Sequence, residues 1–171
     1  AFTSTIPFGF PESDQYEAWF YELGGLDMAR EAYGKAGLMY IAPTVYGQEP
    51  IHSKVKISSV AEFAGKKGRF VGLASSVMGA MGVSVTPLPT AANLQAGLAE
   101  VAKFLILPGV HQPTTATSYV ANKTAYDALP APYKAALATA AREVSAALRQ
   151  HNVVQDVTAL GKYREAGVEI V

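Results

Sequence analysis

The stretch GKKGRFVGLASSVMGAMG, residues 65–82, organises the fold of this 171-residue chain. Phe70 and Val71 predict the centre of a short apolar strand, and the small residues 74–81 predict a helix that follows it. A strand that leads directly into a helix leaves the first helical N–H groups unpaired, and such groups can bind an anion. The stretch therefore predicts an anion site at a strand-to-helix turn.

Arg69 lies just inside this predicted strand, between Gly68 and Phe70. Its planar guanidinium group is suited to binding a carboxylate or a phosphate through two parallel hydrogen bonds. An arginine in such a position is also typical of a surface ion pair, and spacing alone favours that role. The residues by themselves leave both roles open.

The composition excludes several classes of protein. Half of the residues are hydrophobic, 16% are charged, and the 14 basic residues equal the 14 acidic ones in number. This balance argues against a disordered chain and against electrostatic binding to nucleic acid or to an anionic membrane. Cysteine is absent, which excludes a disulfide framework and a thiolate metal site. The length predicts one domain with a proper core.

Three glycines separate a predicted helix from an apolar run: Gly37 before residues 38–42, Gly82 before residues 83–85, and Gly167 before residues 168–171. A helix that ends on a left-handed glycine and leads into β-branched residues is typical of α/β proteins. Further strands are predicted at residues 70–73, 104–107 and 118–121. This alternation predicts an α/β sandwich around a mixed or parallel sheet.

The predicted helices include the longest element of the chain. An apolar stripe of Tyr133, Leu137, Ala141, Val144 and Leu148 predicts the buried face of a helix over residues 130–166, with a bend near residues 151–152. Shorter helices are predicted over residues 12–23 and 26–35, after the capping box of Ser59 and Glu62, and after Thr90 over residues 91–98. Residues 43–58 and 108–118 are predicted loops.

No catalytic group or metal site stands out in the sequence. Ser75 follows a strand-to-helix turn, but the string GLASSVMG lacks the G-x-S-x-G elbow of a hydrolase. His52, His111 and His151 lie far apart, and none has a second ligand at the helical spacing of a zinc site. His52 and His111 in their loops, like Tyr46 and Gln48 in theirs, either line a pocket or lie on the surface.

Two consecutive strings, IHSKVKISSVAEFAGKKGRF (51–70) and VGLASSVMGAMGVSVTPLP (71–89), resemble the central part of the solute-binding proteins of tripartite ATP-independent periplasmic (TRAP) transporters. IPFGF (6–10), residues 104–130 and AGVEIV (166–171) resemble other parts of that family. The positions that match the family's central pattern are Ser53, Lys54, Ile57, Ser59, Phe63, Gly65, Lys67, Arg69, Gly82 and Pro87.

The resemblance implies a type II periplasmic-binding-protein fold, with two interleaved lobes in the complete family fold and a long C-terminal helix. It implies a periplasmic protein that captures a small organic acid, such as a 2-oxo or 2-hydroxy acid, without catalysis. The acid would be delivered to membrane permease subunits for uptake driven by an ion gradient. No nucleic acid partner, no direct membrane insertion and no resident cofactor are expected, although sodium or calcium can accompany the ligand.

The resemblance also assigns site residues. Arg69 matches the arginine that pairs with the ligand carboxylate, and Gln48 lies at the distance of a glutamine that helps hold ligand or metal. The chain departs from the family pattern at residues 91–104 and before the IPFGF string, so we expect that an internal pocket segment and an N-terminal segment are missing or omitted. The complete set of expected substrate-binding residues is Arg69, Gln48, Tyr46, Phe8, Ser75 and His111.

Two other functions remain open at the level of sequence. One is a small α/β enzyme that acts on an anionic substrate, with Ser75 or His111 as its reacting group. The other is a ligand-sensing module that feeds a kinase and uses the same pocket. The sequence does not identify the acid or the oligomeric state.

Overall fold

The computed structural model describes residues 6–86 and 102–171, which form an α/β fold. Its α-helices are α1 (Ser13–Glu22), α2 (Gly25–Gly34), α3 (Gly72–Ala80), α4 (Lys123–Asp127) and α5 (Ala131–Glu165), and a 3-10 helix spans Val60–Phe63. Its strands are β1 (Leu38–Tyr46), β2 (Ile51–Ser53), β3 (Lys67–Gly68), β4 (Ser84–Val85), β5 (Phe104–Ile106), β6 (Thr115–Asn122) and β7 (Glu169–Ile170).

The described strands are divided among three small sheets. Strands β1 and β6 form an antiparallel pair whose register shifts between Tyr40 and Ala42. The sheet β2–β5–β7 is mixed, because β2 runs antiparallel to β5 and β7 runs parallel to it. Strands β3 and β4 form a short parallel pair. The predicted α/β class with a mixed sheet and a long C-terminal helix is therefore confirmed, although the strands do not join into one sheet.

The three predicted helix-to-strand junctions are present. Gly37, Gly82 and Gly167 have φ values of +73°, +86° and +77°, in the left-handed region that glycine tolerates best. A strand follows closely after each of them. These junctions could be predicted because a left-handed turn depends on the local backbone alone.

Several predicted boundaries are wrong. The strand predicted at residues 70–73 lies earlier, at Lys67–Gly68, and α3 already begins at Gly72. The loop predicted from residue 43 is strand as far as Tyr46, because pairing with the eight residues of β6 extends β1 through Pro43. The predicted loop also contains strand β2. The helix predicted at residues 91–98, with Thr90 as its N-cap, lies outside the described residues.

The buried side chains form two apolar clusters. The first lies around α3 and contains Ile57, Phe63, Phe70, Ala74, Met78, Val83 and Ile106. The second lies between α1, α2 and the β1–β6 pair and contains Tyr16, Phe20, Ala29, Tyr40, Val45 and Ala116. Tyr16 and Phe20 of α1 thus point inward, whereas Leu23, just after the end of α1, is exposed.

Helix α5 is 35 residues long and packs against β1 through a face that overlaps the predicted one only in part. Ala141 of the predicted stripe is buried, together with Ser145, whereas Tyr133, Leu137 and Val144 are exposed by 63%, 41% and 53%. Small side chains at the contact let the helix approach the strand closely. The apolar stripe therefore identified the packing face only in part.

Within residues 6–86 and 102–171, no helix is both long enough and apolar enough to cross a bilayer.

Candidate functional site

A cleft of about 430 Å³ opens beside the first apolar cluster. This volume falls in the range of roughly 300–1,000 Å³ that is usual for small-molecule sites. The cleft is lined by Glu49, Pro50, Ile51, His52, Ser53, Val55, Ile57, Phe63, Lys66, Lys67, Gly68, Arg69, Phe70, Val83 and His111. Its wall is mostly apolar, and its charged groups are three cations and one carboxylate.

Arg69 lies in the wall of this cleft and is partly buried. Strand β3 positions Arg69 there, because β3 pairs with β4 and ends one residue before Arg69. Lys66 and Lys67 precede Arg69 and line the same cleft. Three cationic side chains from one short segment give the cleft a positive wall, which suits an anionic ligand.

Gly68 and Phe70 fix the backbone on both sides of Arg69. The ring of Phe70 folds back over Gly68, so that a Cβ atom at residue 68 would lie 2.7 Å from the ring and 3.2 Å from Val83 Cγ1. Phe70 itself is buried in the first cluster. The position of Arg69 is therefore set by a glycine that makes room for an aromatic ring.

His111 packs edge-on against Phe70, with ring centroids 5.3 Å apart. Burial lowers the pKa of His111 to about 4, so the imidazole is neutral at pH 7. Its Nδ1 atom is buried and has no hydrogen-bond partner among residues 6–86 and 102–171. A neutral imidazole can donate one hydrogen bond and accept another, so His111 offers the cleft an uncharged polar group.

The loop that carries His111 is held by main-chain and side-chain contacts. Gln48 Oε1 accepts a hydrogen bond from the Gly109 amide (3.0 Å). The Glu49 amide donates to the Gln112 carbonyl oxygen (3.0 Å), and the Phe8 amide donates to the Val110 carbonyl oxygen (3.0 Å). Two segments distant in sequence thus clamp residues 109–112 and place His111 against Phe70.

The structure brings only part of the predicted site together. Arg69 and His111 line the cleft. Gln48 lines a separate, smaller cavity beside α5, and its side-chain oxygen is engaged by Gly109. Phe8 is 54% exposed and is not among the residues that line the cleft.

Tyr46 and Ser75 make local contacts elsewhere. The Tyr46 hydroxyl lies 3.0 Å from Thr117 Oγ1, across the β1–β6 pair. Ser75 Oγ donates to the Phe70 carbonyl oxygen (2.5 Å) at the beginning of α3. Neither residue lines the cleft, and no residue from the start of α3 does, although that helix start organised the sequence prediction.

Sequence reasoning missed Glu49 and left open whether His52 lines a pocket or lies on the surface. Glu49 contributes the one carboxylate of the described cleft lining. Burial raises the pKa of its carboxyl group, and the nearby charge of Arg69 offsets part of this rise. His52 Nε2 lies 2.8 Å from the Tyr163 hydroxyl of α5, and burial lowers the pKa of His52. His52 lies in β2 and Glu49 lies just before it, within residues 43–58, which were predicted as a loop and therefore gave no signal.

No cluster of three or more potential metal-ligating side chains was found within the two described ranges.

Comparison with known proteins connects this fold and cleft to one family. Residues 89–171 match the family model DctP, described as bacterial extracellular solute-binding protein, family 7. A TRAP periplasmic solute-binding protein from Desulfovibrio salexigens with bound orotic acid superposes with a TM-score of 0.81 at 21% identity, covering 98% of this chain and 60% of its own.

Two further solved structures are similar to the chain. A TRAP solute-binding protein from Bordetella bronchiseptica, with copurified calcium and picolinate, gives a TM-score of 0.79 at 22% identity and covers 98% of this chain and 56% of its own. One from Pseudoalteromonas atlantica, with bound sodium and pyruvate, gives a TM-score of 0.75 at 24% identity and covers 99% and 58%.

This chain thus spans somewhat more than half the length of these relatives. Across nearly all of its length it has their fold, and residues 89–171, slightly less than half of the chain, match the family model. The chain therefore has the fold of the TRAP periplasmic solute-binding proteins, and its C-terminal part is similar to the bacterial extracellular solute-binding proteins of family 7.

Proposed function

We propose that this chain binds a small organic acid as the substrate-binding component of a TRAP transporter. The observation that carries the proposal is the place of Arg69, which lines a cleft of suitable volume together with Lys66 and Lys67. A guanidinium in a partly apolar wall binds a carboxylate more strongly than one in bulk water, because water screens the charges less. His111 would add a neutral polar contact opposite this cationic wall.

The similar proteins support the class of ligand. Three of the solved structures contain picolinate, pyruvate or orotic acid, all of which carry a carboxylate. In two of them calcium or sodium is bound as well. We propose that the ligand of this chain is an acid of similar size, and that a cation, if one is bound, enters with the acid rather than as a resident cofactor.

The proposed cellular role follows from the family. The chain would bind its acid in the periplasm and deliver it to the membrane permease subunits, without chemical change. We further propose that residues 1–171 contribute to both of two interleaved lobes, of which the two apolar clusters are the cores. The expected roles of Gln48, Tyr46, Phe8 and Ser75 would then be indirect, since their described contacts hold the surrounding backbone and strands.

The test is the substitution Arg69→Ala, measured by calorimetry with a panel of pyruvate, picolinate, orotate and pyroglutamate. A hydrogen bond to a charged group contributes about 1.5–3 kcal/mol, so the variant should lose at least about tenfold in affinity for any acid that the wild-type protein binds.

The matched control is Arg164→Ala, because Arg164 is exposed in the last turn of α5 and does not line the cleft. This variant should bind as the wild type does. Equal affinity of wild type and Arg69→Ala for the same acid would contradict the proposed function.

A further inference from the structure

Glu49 is the unexpected member of the cleft wall. A site for a simple anion is expected to avoid carboxylates, because a carboxylate in the wall repels a bound anion. Glu49 nevertheless lines the same cleft as Arg69, and its main chain is fixed there by the hydrogen bond from its amide to the Gln112 carbonyl oxygen. The cleft is therefore bipolar rather than uniformly positive.

We propose that Glu49 makes the cleft select acids that carry a hydrogen-bond donor beside the carboxylate, namely 2-amino or 2-hydroxy acids, over the corresponding 2-oxo acids. This inference rests on the proposed function and deepens it. The ligand carboxylate pairs with Arg69, and the adjacent hydroxyl or ammonium group donates to the Glu49 carboxylate.

The hydrogen-bonding chemistry of the two groups carries this selection. An ionised carboxylate only accepts hydrogen bonds, and a 2-oxo oxygen also only accepts them. Two acceptors that face one another cannot hydrogen-bond to each other, and this is costly once a bound ligand excludes water from between them. A hydroxyl or ammonium group in the same place supplies the missing donor, and the bond to a charged acceptor is a strong one.

The other polar groups of the wall are less suited to this role. His52 Nε2 lies within hydrogen-bond distance of the Tyr163 hydroxyl. Lys66 and Lys67 are exposed at the edge of the cleft and carry only donors. His111 is neutral and can accept only one hydrogen bond. Glu49 is thus the strongest acceptor that the described wall presents to a ligand held by Arg69.

The experiment uses three matched sets of ligands with the same carbon skeleton: lactate, alanine and pyruvate; malate, aspartate and oxaloacetate; 2-hydroxyglutarate, glutamate and 2-oxoglutarate. Affinities are measured by calorimetry for the wild-type protein in the presence of EDTA. In the set that binds most tightly, the hydroxy or amino acid should bind at least about tenfold more tightly than the oxo acid. A preference for the oxo acid, equal affinities, or no binding by any of the nine acids would overturn the inference.

The variant Glu49→Gln then tests the residue itself. An amide of the same shape donates as well as accepts, so the preference for the donor-bearing acid should fall at least about tenfold or reverse. Glu22→Gln, an exposed carboxylate at the end of α1, is the matched control and should keep the wild-type preference. A preference that survives in Glu49→Gln would contradict the assignment.

The failure of this inference can be told apart from the failure of the proposed function. If an oxo acid binds best and its affinity depends on Arg69, only the selectivity assigned to Glu49 is wrong. If the acids bind equally well to wild type and Arg69→Ala, the proposed function itself fails.

Discussion

At the scale of single residues, the cleft combines Arg69, which the sequence indicated as an anion-binding residue, with the neutral His111 and the acidic Glu49. The sequence left the role of His111 open and gave no sign of Glu49. Arg69 could be singled out because its chemistry is the same in almost any surroundings. His111 depends on burial, since the same imidazole in an exposed loop would titrate near neutral pH. Its neutral state is a consequence of packing against Phe70.

The protonation of His111 gives a prediction about stability and pH. Its pKa is about 4 in the folded protein and about 6.5 in the unfolded chain, so the unfolded chain binds more protons between these values. The stability that His111 contributes is therefore present above pH 6.5 and is lost as the pH falls toward 4. The slope of this loss should approach about 1.4 kcal/mol per pH unit.

Urea denaturation at pH 7.5, 6.5, 5.5 and 4.5 would measure this effect against the variant His111→Asn, which cannot titrate. The difference in unfolding free energy between the two proteins should shift in favour of the variant as the pH falls. His52 also has a lowered pKa but is present in both proteins, so its contribution cancels. Parallel pH profiles for wild type and variant would show that His111 is not buried as described.

At the scale of elements, the site depends on two loops that approach each other closely at Gly109. A side chain at this position would prevent the approach. A Cβ atom at Gly109 would lie 1.7 Å from the Glu49 carbonyl oxygen and 2.7 Å from the Glu49 carbonyl carbon. These are main-chain atoms and cannot rotate away. The absence of a side chain at residue 109 is therefore what lets the loop of residues 109–112 reach the segment that carries Glu49.

The substitution Gly109→Ala should force these segments apart. We expect the unfolding free energy to fall by a few kcal/mol, comparable with overpacking in a core. Ligand binding should also weaken, because both Glu49 and His111 would be displaced from their positions in the cleft wall. Thermal denaturation and calorimetry would measure both effects. Gly34→Ala is the control, because a Cβ atom there meets nothing within 4 Å and α2 should tolerate it. Equal melting temperatures for wild type and Gly109→Ala would contradict the close approach.

At the scale of the whole molecule, a buried polar contact joins the long helix to the β1–β6 pair. Ser145 Oγ of α5 lies 2.9 Å from Thr44 Oγ1, 3.0 Å from the Pro43 carbonyl oxygen and 2.6 Å from the Ala141 carbonyl oxygen. Ser145 and Thr44 are both buried. A serine hydroxyl can donate to a carbonyl oxygen and accept from Thr44 at once, which satisfies polar groups of both elements.

Replacing Ser145 with alanine should lower the unfolding free energy by about 1–3 kcal/mol, because the Thr44 hydroxyl then stays buried without its partner. Thr158→Ala is the control, since Thr158 Oγ1 makes a similar bond to the Val154 carbonyl oxygen on the exposed side of the same helix. That change should stay within about 0.5 kcal/mol. Urea denaturation of the two variants would compare them, and equal losses would show that the contact between helix and strand contributes nothing of its own.

The sequence by itself determined the α/β class, the helix-to-strand junctions at Gly37, Gly82 and Gly167, the long C-terminal helix and the similarity to bacterial extracellular solute-binding proteins. These features could be predicted because they depend on local backbone preference or on motifs that are contiguous in the chain. The anion-binding candidate Arg69 was found in the same way.

Only the tertiary structure decided which face of α5 packs and which polar groups share the cleft with Arg69. The packing face is chosen by how closely helix and strand can approach, which favoured the small Ala141 and Ser145 over the larger Tyr133, Leu137 and Val144. Gln48 accepts a hydrogen bond from the Gly109 amide and does not line the cleft. Glu49 and His111 line it because contacts between distant segments place them there. Such contacts join residues some 60 positions apart, and no local pattern in a single sequence specifies them.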